Sequence, residues 1–456
     1  MTAPRRVVVA GGGITGLVTA FTLQQEAASR GLAIDLTLLD AGTEPGGHAR
    51  TIDQDGWLIE RGPNGFLDRG AETMALVDEL KMNSQIVEAD PAARRRFILR
   101  SGALRQVPES PPALIASDAI GWQGKLRMLR EPWAAAAPAG KDETIFEFAE
   151  RRLGREAAET FVDTAVAGIS AGDSRTLSVR SQFPILKEWE QQYGSLLKAM
   201  VARQKTGGPR ARLLSFDRGL GAITRTLACR LQGSVRPQST IERIEKADGG
   251  WRIQLAGDQS IGADLVVLAL PSHTAARVAG GFDRALSSSL ASIPYADMSV
   301  VALGYRASAI ARPLNGYGYL VTRHEDLSTL GVLWESSIFP HRAPEGMVLL
   351  RVMLGGMRRP EVSAFDDREV ADLAVSEATK VLGISGHPIR QWVNRCPAAI
   401  AQYTVGHDRR IAEIRKLTAA HRGLHVCGTA YDGVSFNDAI ATARRTARAM
   451  ALELAA

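Results

Sequence analysis

A short run that is apolar at every position, Val7-Val8-Val9-Ala10, stops at Gly11-Gly12-Gly13 and gives way to Ile14-Thr15-Gly16-Leu17, where the pattern becomes helical. An unbroken apolar run, rather than an alternating one, predicts a strand buried on both faces, as in a parallel sheet. A second strand is expected over residues 34–40, closed by Asp40, and a glycine-rich segment, residues 44–51, follows it. Residues 96–107 read as a small hairpin turning at Ser101-Gly102. From about residue 110 to 205 the periodicity is helical, punctuated by Pro111-Pro112, Pro132 and Gly140, which predicts an inserted helical lobe. Strands return at 239–244 and 251–255. The nearly continuous apolar run 263–271 is then expected to rejoin the first sheet. Residues 295–405, with strands at 298–303 and 347–352, predict a second sheet. A strand and glycine turn at 423–430 leads into a final helix from about Asp438.

This order describes an α/β protein: a Rossmann-like nucleotide-binding domain interleaved with a mixed-sheet substrate domain and an inserted helical lobe. The expected division is 1–80, 211–280 and 406–456 for the nucleotide-binding parts, 81–210 for hairpin and helical lobe, and 281–405 for the substrate domain. At 456 residues, 45% hydrophobic and 23% charged, the chain is globular and too long for a single ordinary core.

Three distant cysteines, Cys229, Cys396 and Cys427, offer neither a disulfide framework nor zinc spacing, which fits a reducing cytoplasm. The net charge of +6, with basic clusters at Arg94-Arg95-Arg96 and Arg444-Arg445, favours anionic ligands or anionic lipid headgroups. Nucleic acid is disfavoured, because the basic residues are scattered without interleaved aromatics. No apolar run reaches the eighteen or so residues of a spanning helix, and the N-terminus opens directly into a core strand, leaving no room for a signal peptide. The expectation is a cytoplasmic protein, with peripheral contact on the inner face of an anionic membrane left open. Trp122, Lys125, Arg127, Met128, Leu129, Arg130 and Trp133 suit an interfacial helix as well as an amphipathic helix packed on its own lobe.

The glycines carry the first chemistry. Gly11 permits a tight strand-to-helix turn, Gly13 lets backbone approach a pyrophosphate, and Gly16 allows the helix to pack closely on the sheet. Ile14 and Thr15 open that helix, whose positive end attracts phosphate. Asp40 stands where a carboxylate accepts ribose hydroxyls. A second pair, Gly46 and Gly47, with Arg50, can wrap the pyrophosphate from its other side, an addition that a simple nicotinamide-binding domain does not need. The turn at Gly428 aims a second positive helix end at an isoalloxazine ring, where reduction deposits negative charge. Both features point to FAD. The eight histidines show no metal-ligand pairing; His273, His407 and His425 read as packed or solvent-facing, and no metal is expected.

Four segments resemble the oxygen-dependent protoporphyrinogen oxidase family, within the wider FAD-dependent amine oxidase superfamily: Gly11 to Leu17, Ile59-Glu60-Arg61-Gly62-Pro63-Asn64-Gly65-Phe66, Ala167-Gly168-Ile169-Ser170-Ala171-Gly172-Asp173-Ser174-Arg175-Thr176-Leu177-Ser178, and Gly423-Leu424 through Tyr431-Asp432-Gly433-Val434-Ser435-Phe436-Asn437-Asp438. The likeness runs from residue 5 to about 450, and its mid-chain and C-terminal parts are the specific ones. It implies oxidation of a porphyrinogen to a porphyrin by six electrons in three flavin reductions, with dioxygen giving hydrogen peroxide and with the flavin, not a side chain, accepting hydride. It also implies Gly62 and Val434 at the cofactor, Arg96 on a substrate propionate, and the Gly168 carbonyl facing the macrocycle. Arg94 and Arg95 compete with Arg96, and Gly168 can equally end a helix. Trp334, Phe339 and Met353 fit an apolar slot or, more commonly, core.

This sequence departs from the family pattern in having Ala439 where many members have cysteine, Ser435-Phe436 in place of Gly-Val, and Asp40 in place of glutamate, which makes the ribose contact looser or water-mediated. Protoporphyrinogen is the substrate preferred here, with coproporphyrinogen as the alternative. An amine oxidase or carotenoid desaturase on the same scaffold, and a flavoprotein isomerase or non-catalytic flavin scaffold, are the competing readings. Handoff of product to a ferrochelatase follows from pathway logic alone.

Overall fold

The computed structural model describes residues 3–138, 140–205 and 210–455. The expected buried run forms the strand Arg5–Ala10 at the centre of a five-stranded, wholly parallel sheet. Its strand order is Val235–Arg236, Ile34–Leu39, Arg5–Ala10, Leu265–Leu268, Leu424–Val426. The late apolar run does rejoin the first strand, pairing Val7 with Leu265 and Ala10 with Leu268. One face is covered by the helices Ile14–Ser29 and Phe436–Ala455, which bury Leu17, Val18, Ile440 and Ala447 together. The other face is covered by the antiparallel strands Ile241–Ala247, Gly250–Leu255 and Ser260–Ala263 and by the helices Ser272–Ala279 and Arg284–Ala291. A sheet sandwiched in this way requires apolar residues at every central position, which accounts for the unbroken runs.

The second sheet has seven strands in the order Arg390–Ala401, Tyr295–Arg306, Met347–Gly355, Thr329–Trp334, Gly318–Val321, Arg96–Arg100, Ala103–Gln106. The expected hairpin forms, with Ser101 and Gly102 at φ 53° and 70° in its turn. It extends this sheet rather than the helical lobe, because Arg96–Arg100 pairs in parallel with Gly318–Val321. On the outer face, Leu303, Tyr305, Val352 and a fully buried Trp334 pack under the helix Asp367–Leu382, so Trp334 is core and no part of a slot. The inner face presents Leu320, Leu333 and Met353 toward Ala167, Ala171 and Phe339. Alternation along each strand assigns the two faces.

Residues 111–205 are mostly helical, as the punctuation predicts. This lobe is pinned internally by Arg152, whose guanidinium hydrogen-bonds Glu131 in the interior, with Glu131 also accepting from the Leu196 amide at 2.9 Å. No helix among the described residues is long and apolar enough to cross a membrane.

Candidate functional site

The two glycine segments close on each other. Gly46 N donates to Gly12 O at 2.7 Å, and a methyl group on Gly47 would come within 3.1 Å of the Gly13 Cα. Gly11, at φ 107°, and Gly16 face protein: added side chains would strike Ala269 O at 2.4 Å and Gly11 O at 1.8 Å respectively. Gly13 differs, since a methyl group there would meet nothing nearer than the Gly47 Cα at 4.0 Å. Its backbone looks into open space at the start of a helix that no side chain caps, and the first helical bond comes only with Leu17 N to Gly13 O at 3.0 Å. The amides of Ile14, Thr15 and Gly16 precede that bond, so their positive end is free for an anion. Gly428, at φ 143°, likewise opens on space, its nearest neighbour being Leu270 O at 4.0 Å. This is a cradle for an elongated anionic ligand, and it fits a dinucleotide.

Asp40 is placed otherwise than a free ribose acceptor. Its carboxylate takes the Gly12 amide at 2.9 Å and the Gly42 amide at 2.8 Å, so it fixes the glycine loop and has only its remaining lone pairs to offer a ribose. Arg50 folds back, Nε donating to Gly47 O at 3.1 Å. At the C-terminal end, Ser435 explains its own departure from the family pattern: its hydroxyl accepts the Asp438 amide at 3.1 Å while Asp438 accepts the Ser435 amide at 3.1 Å. This reciprocal cap starts the last helix. Phe436 stacks on Phe66 at 5.9 Å in the nucleotide core, and Val434 packs in the core on the sheet's other side. Tyr403 holds the intervening loop, donating to Thr429 O at 2.7 Å and accepting from Gly433 N at 2.8 Å. His407 stacks on that tyrosine at 3.9 Å, and burial pushes its imidazole down to about 4, which keeps it neutral. His425 pairs with Glu453, and His273 lies edge-on to Tyr295.

The segment Glu60–Asn64 crosses the inner face of the seven-stranded sheet and is tied down there by charged groups that the sequence reading passed over. Arg342, fully buried, donates to Glu335 Oε2 at 2.6 Å, Glu60 Oε1 at 3.0 Å, Asn64 O at 2.8 Å, Ser215 Oγ at 2.9 Å and the Asn64 side chain. Its guanidinium also lies 4.3 Å from the Phe339 ring, so Phe339 is a wall of this cluster rather than a free slot residue. Burial pushes the Glu60 carboxyl up, against the pull of Arg342. Arg61 Nε donates to Asn394 Oδ1 at 3.0 Å, and Asn394 returns Nδ2 to Arg61 O at 2.6 Å. Arg351 donates to Gly62 O. Gly62 itself has no room for a side chain, because His48 O would lie 2.2 Å from it. The signal was legible: Arg351 and Glu335 are charged residues within or directly after apolar strands, where they stay only if paired.

Strand register puts Arg96, Gly318, Leu333, Arg351, Ala302 and Trp392 in one row across the inner face. Arg96 is exposed at one end of it, 5.6 Å from the Tyr317 ring centroid. Among the described residues no carboxylate pairs with Arg94, Arg95 or Arg96. Gly168 lies within the helix Asp163–Ser170, not at its end, and a methyl group there would come within 2.5 Å of Leu320 Cδ2. The missing side chain therefore lets the helix lie against the sheet. That helix is anchored by Asp163, which accepts from Arg323 Nε at 3.0 Å and from Ser174 Oγ at 2.6 Å; burial pushes its carboxyl up, but Arg323, Arg358 and Ser174 together hold it below the usual carboxylate range.

The profile of the flavin containing amine oxidoreductase family matches residues 14–451. The chain is 28% identical over 451 residues to the coproporphyrinogen III oxidase of Bacillus subtilis (strain 168), covering 96% of each. It is 32% identical over 480 residues to the protoporphyrinogen oxidase of Homo sapiens, covering 97% of this chain and 98% of that one. A crystal structure from Exiguobacterium sp. 255-15, whose name gives protoporphyrinogen oxidase as a provisional activity, superposes with a TM-score of 0.88 at 24% identity, covering 99% of this chain and 100% of that one.

Proposed function

The chain belongs to the flavin containing amine oxidoreductase family, whose cofactor is FAD, and from that premise we propose that it oxidises protoporphyrinogen to protoporphyrin with dioxygen as acceptor. When bound, FAD supplies a two-electron acceptor that dioxygen regenerates. The chain's own work is to hold and exclude. Gly13, the amides of Ile14 to Gly16 and the Gly46-Gly47 loop would hold the pyrophosphate, Asp40 would meet the ribose, and the Gly428 turn would approach the ring. Leu320, Leu333 and Met353 would give the ring an apolar floor, with the small-residue helix of Ala167, Gly168 and Ala171 packed beside them. No dedicated strong base is required, because oxidation of the bridge would acidify the adjoining pyrrole N–H enough for water to take its proton.

One observation carries this choice over an amine oxidase: among the described residues, the arginines at the rim of that floor have no carboxylate partner. A protonated amine would be repelled there, whereas a propionate is held bidentately. Anaerobic mixing with protoporphyrinogen is expected to bleach the flavin and yield porphyrin fluorescence. Bleaching by an amine but not by the porphyrinogen overturns the proposal, and an absence of steady oxygen consumption would favour the isomerase reading. Coproporphyrinogen is a second reading, favoured by Arg94 and Arg95, which are as exposed and as unpaired as Arg96 and suit a substrate with more carboxylates. Comparing kcat/KM for the two porphyrinogens decides between them.

Arg96→Ala is expected to raise KM about tenfold, the loss of about 1.4 kcal/mol of uniform binding, with kcat changed less than twofold. An unaltered KM removes Arg96 from the site. Peripheral membrane contact is the accompanying proposal. In the helix Trp122–Leu129 and the turn after it, Trp122 is 63% and Trp133 81% exposed, with Leu126 and Leu129 exposed beside Arg127 and Arg130. Arg127 packs back on its own lobe, donating to Arg151 O at 2.7 Å, and the exposed Trp122, Leu126, Leu129, Arg130 and Trp133 are the side chains that support membrane contact. Co-sedimentation with anionic vesicles at low salt is expected, and it should fall at least fivefold in W122A/W133A. Equal pelleting of wild type and variant would reject it.

A further inference from the structure

We infer that Arg351 is the fixed positive charge set against the flavin ring, a role that rests on the FAD reading above. The strand Met347–Gly355 is apolar throughout except for this residue, which is only 6% exposed. A guanidinium carries five N–H donors, and buried donors in folded proteins are nearly all paired. Arg342, nine residues earlier, makes the five hydrogen bonds described above through its two Nη groups, and only its Nε is left without a partner among the described residues. Arg351 makes one: its Nη2 donates to Gly62 O, while its Nη1 comes no closer to Glu335 than 3.7 Å and its buried Nε, like that of Arg342, has no acceptor among the described residues. The acceptors it is built for come from outside the chain.

Their identity follows from position. The pyrophosphate cradle at Gly13 touches Gly47, the following residue His48 packs its carbonyl on Gly62, and Gly62 receives Arg351. An elongated dinucleotide lying along this series of contacts has its phosphates at the Gly13 end and its redox ring toward Arg351. The ring is rich in acceptors and becomes more negative on reduction, which a desolvated cation stabilises. The charge count agrees. Glu60 and Glu335 offset Arg342 and Arg351, and Arg61, bonded to neutral Asn394, leaves the cluster one positive charge in excess. A substrate carboxylate is the competing acceptor. It is less suited because Arg351 lies inside the row, beyond Leu333 and Gly318 from the open Arg96 end.

The test uses purified holoenzymes of wild type, Arg351→Met and Arg351→Lys. The flavin midpoint potential is measured against a reference dye without substrate, alongside KM for the porphyrinogen. Arg351→Met is expected to disfavour reduction about tenfold, a fall of about 30 mV for a two-electron couple, while Arg351→Lys stays within threefold of wild type. A potential unmoved in Arg351→Met overturns the inference, and an unmoved potential with a raised KM gives the arginine to the substrate instead. If Arg351→Met does not accumulate folded, R351Q/E335Q removes both charges of the pair and is read in the same way. A colourless wild type defeats the flavin reading itself; a yellow wild type with an unchanged variant defeats only this inference.

Discussion

Gly13→Val is expected to yield a folded protein that no longer holds its cofactor. The backbone at Gly13 lies at φ −69° and ψ 176°, ordinary extended geometry that valine adopts without strain. The nearest protein atom to where its Cβ would sit is the Gly47 Cα at 4.0 Å, so the fold is expected to tolerate it. What the branched side chain fills is the space in front of the uncapped helix amides, where a pyrophosphate must come into direct contact. Displacing it by even an ångström or two removes charge-assisted hydrogen bonds, and a loss of at least 100-fold in FAD affinity, about 2.7 kcal/mol, is expected. The informative control is Gly16→Val, whose Cβ would lie 1.8 Å from Gly11 O and which should damage the apoprotein itself. Flavin absorbance per chain after dialysis, set beside the melting temperature of the FAD-free forms, separates the two. A Gly13→Val protein that binds FAD within threefold of wild type would show that the cradle is not where the phosphates lie.

The glycine loop was legible in the sequence because everything that defines it is local: a strand, a turn and a helix end within a dozen residues. The same holds for the parallel strand at Leu265–Leu268, whose unbroken apolar run has no meaning other than burial on both faces. The sequence left matters open where the deciding contact is distant. The hairpin was visible at residues 96–107, but its partner is Gly318–Val321, and without that pairing nothing showed that it belongs to the substrate sheet. Gly168 offered a helix end or a macrocycle contact; its closest neighbour is Leu320, on a strand that periodicity could not bring to it. Ser435 looked like a weakness at the flavin end, because the cap it forms with Asp438 counts for nothing in a comparison of residue types. Arg351 was in plain view within Met347–Gly355, and the expectation of a core strand hid the one residue that does not belong in a core.

Arg342→Met is expected to cost about 4 kcal/mol of stability, and the reason bears on how the site is held together. The arginine is wholly buried and bonded to two carboxylates, Glu60 on the segment that reaches the flavin side and Glu335 at the end of a substrate-sheet strand. Removing it leaves both acids without their shared partner, and breaking a buried pair from one side costs about 3–5 kcal/mol because the orphaned charge must be neutralised or wetted. Methionine keeps most of the volume, so packing is a minor part of the loss. Neutralising the acids as well, in R342M/E60Q/E335Q, is expected to recover more than half, since a fully uncharged cluster has no orphan. Urea unfolding of the two variants at fixed FAD concentration measures this. A single variant that loses less than about 1 kcal/mol would mean that the segment Glu60–Asn64 is held mainly by Arg61 with Asn394, by Arg351 on Gly62 and by the packing of Trp57 and Ile59. The expected outcome also has a functional side: because Arg342 fastens Glu60–Asn64 to the sheet, the variant should bind FAD less tightly even though no flavin atom needs to touch that arginine.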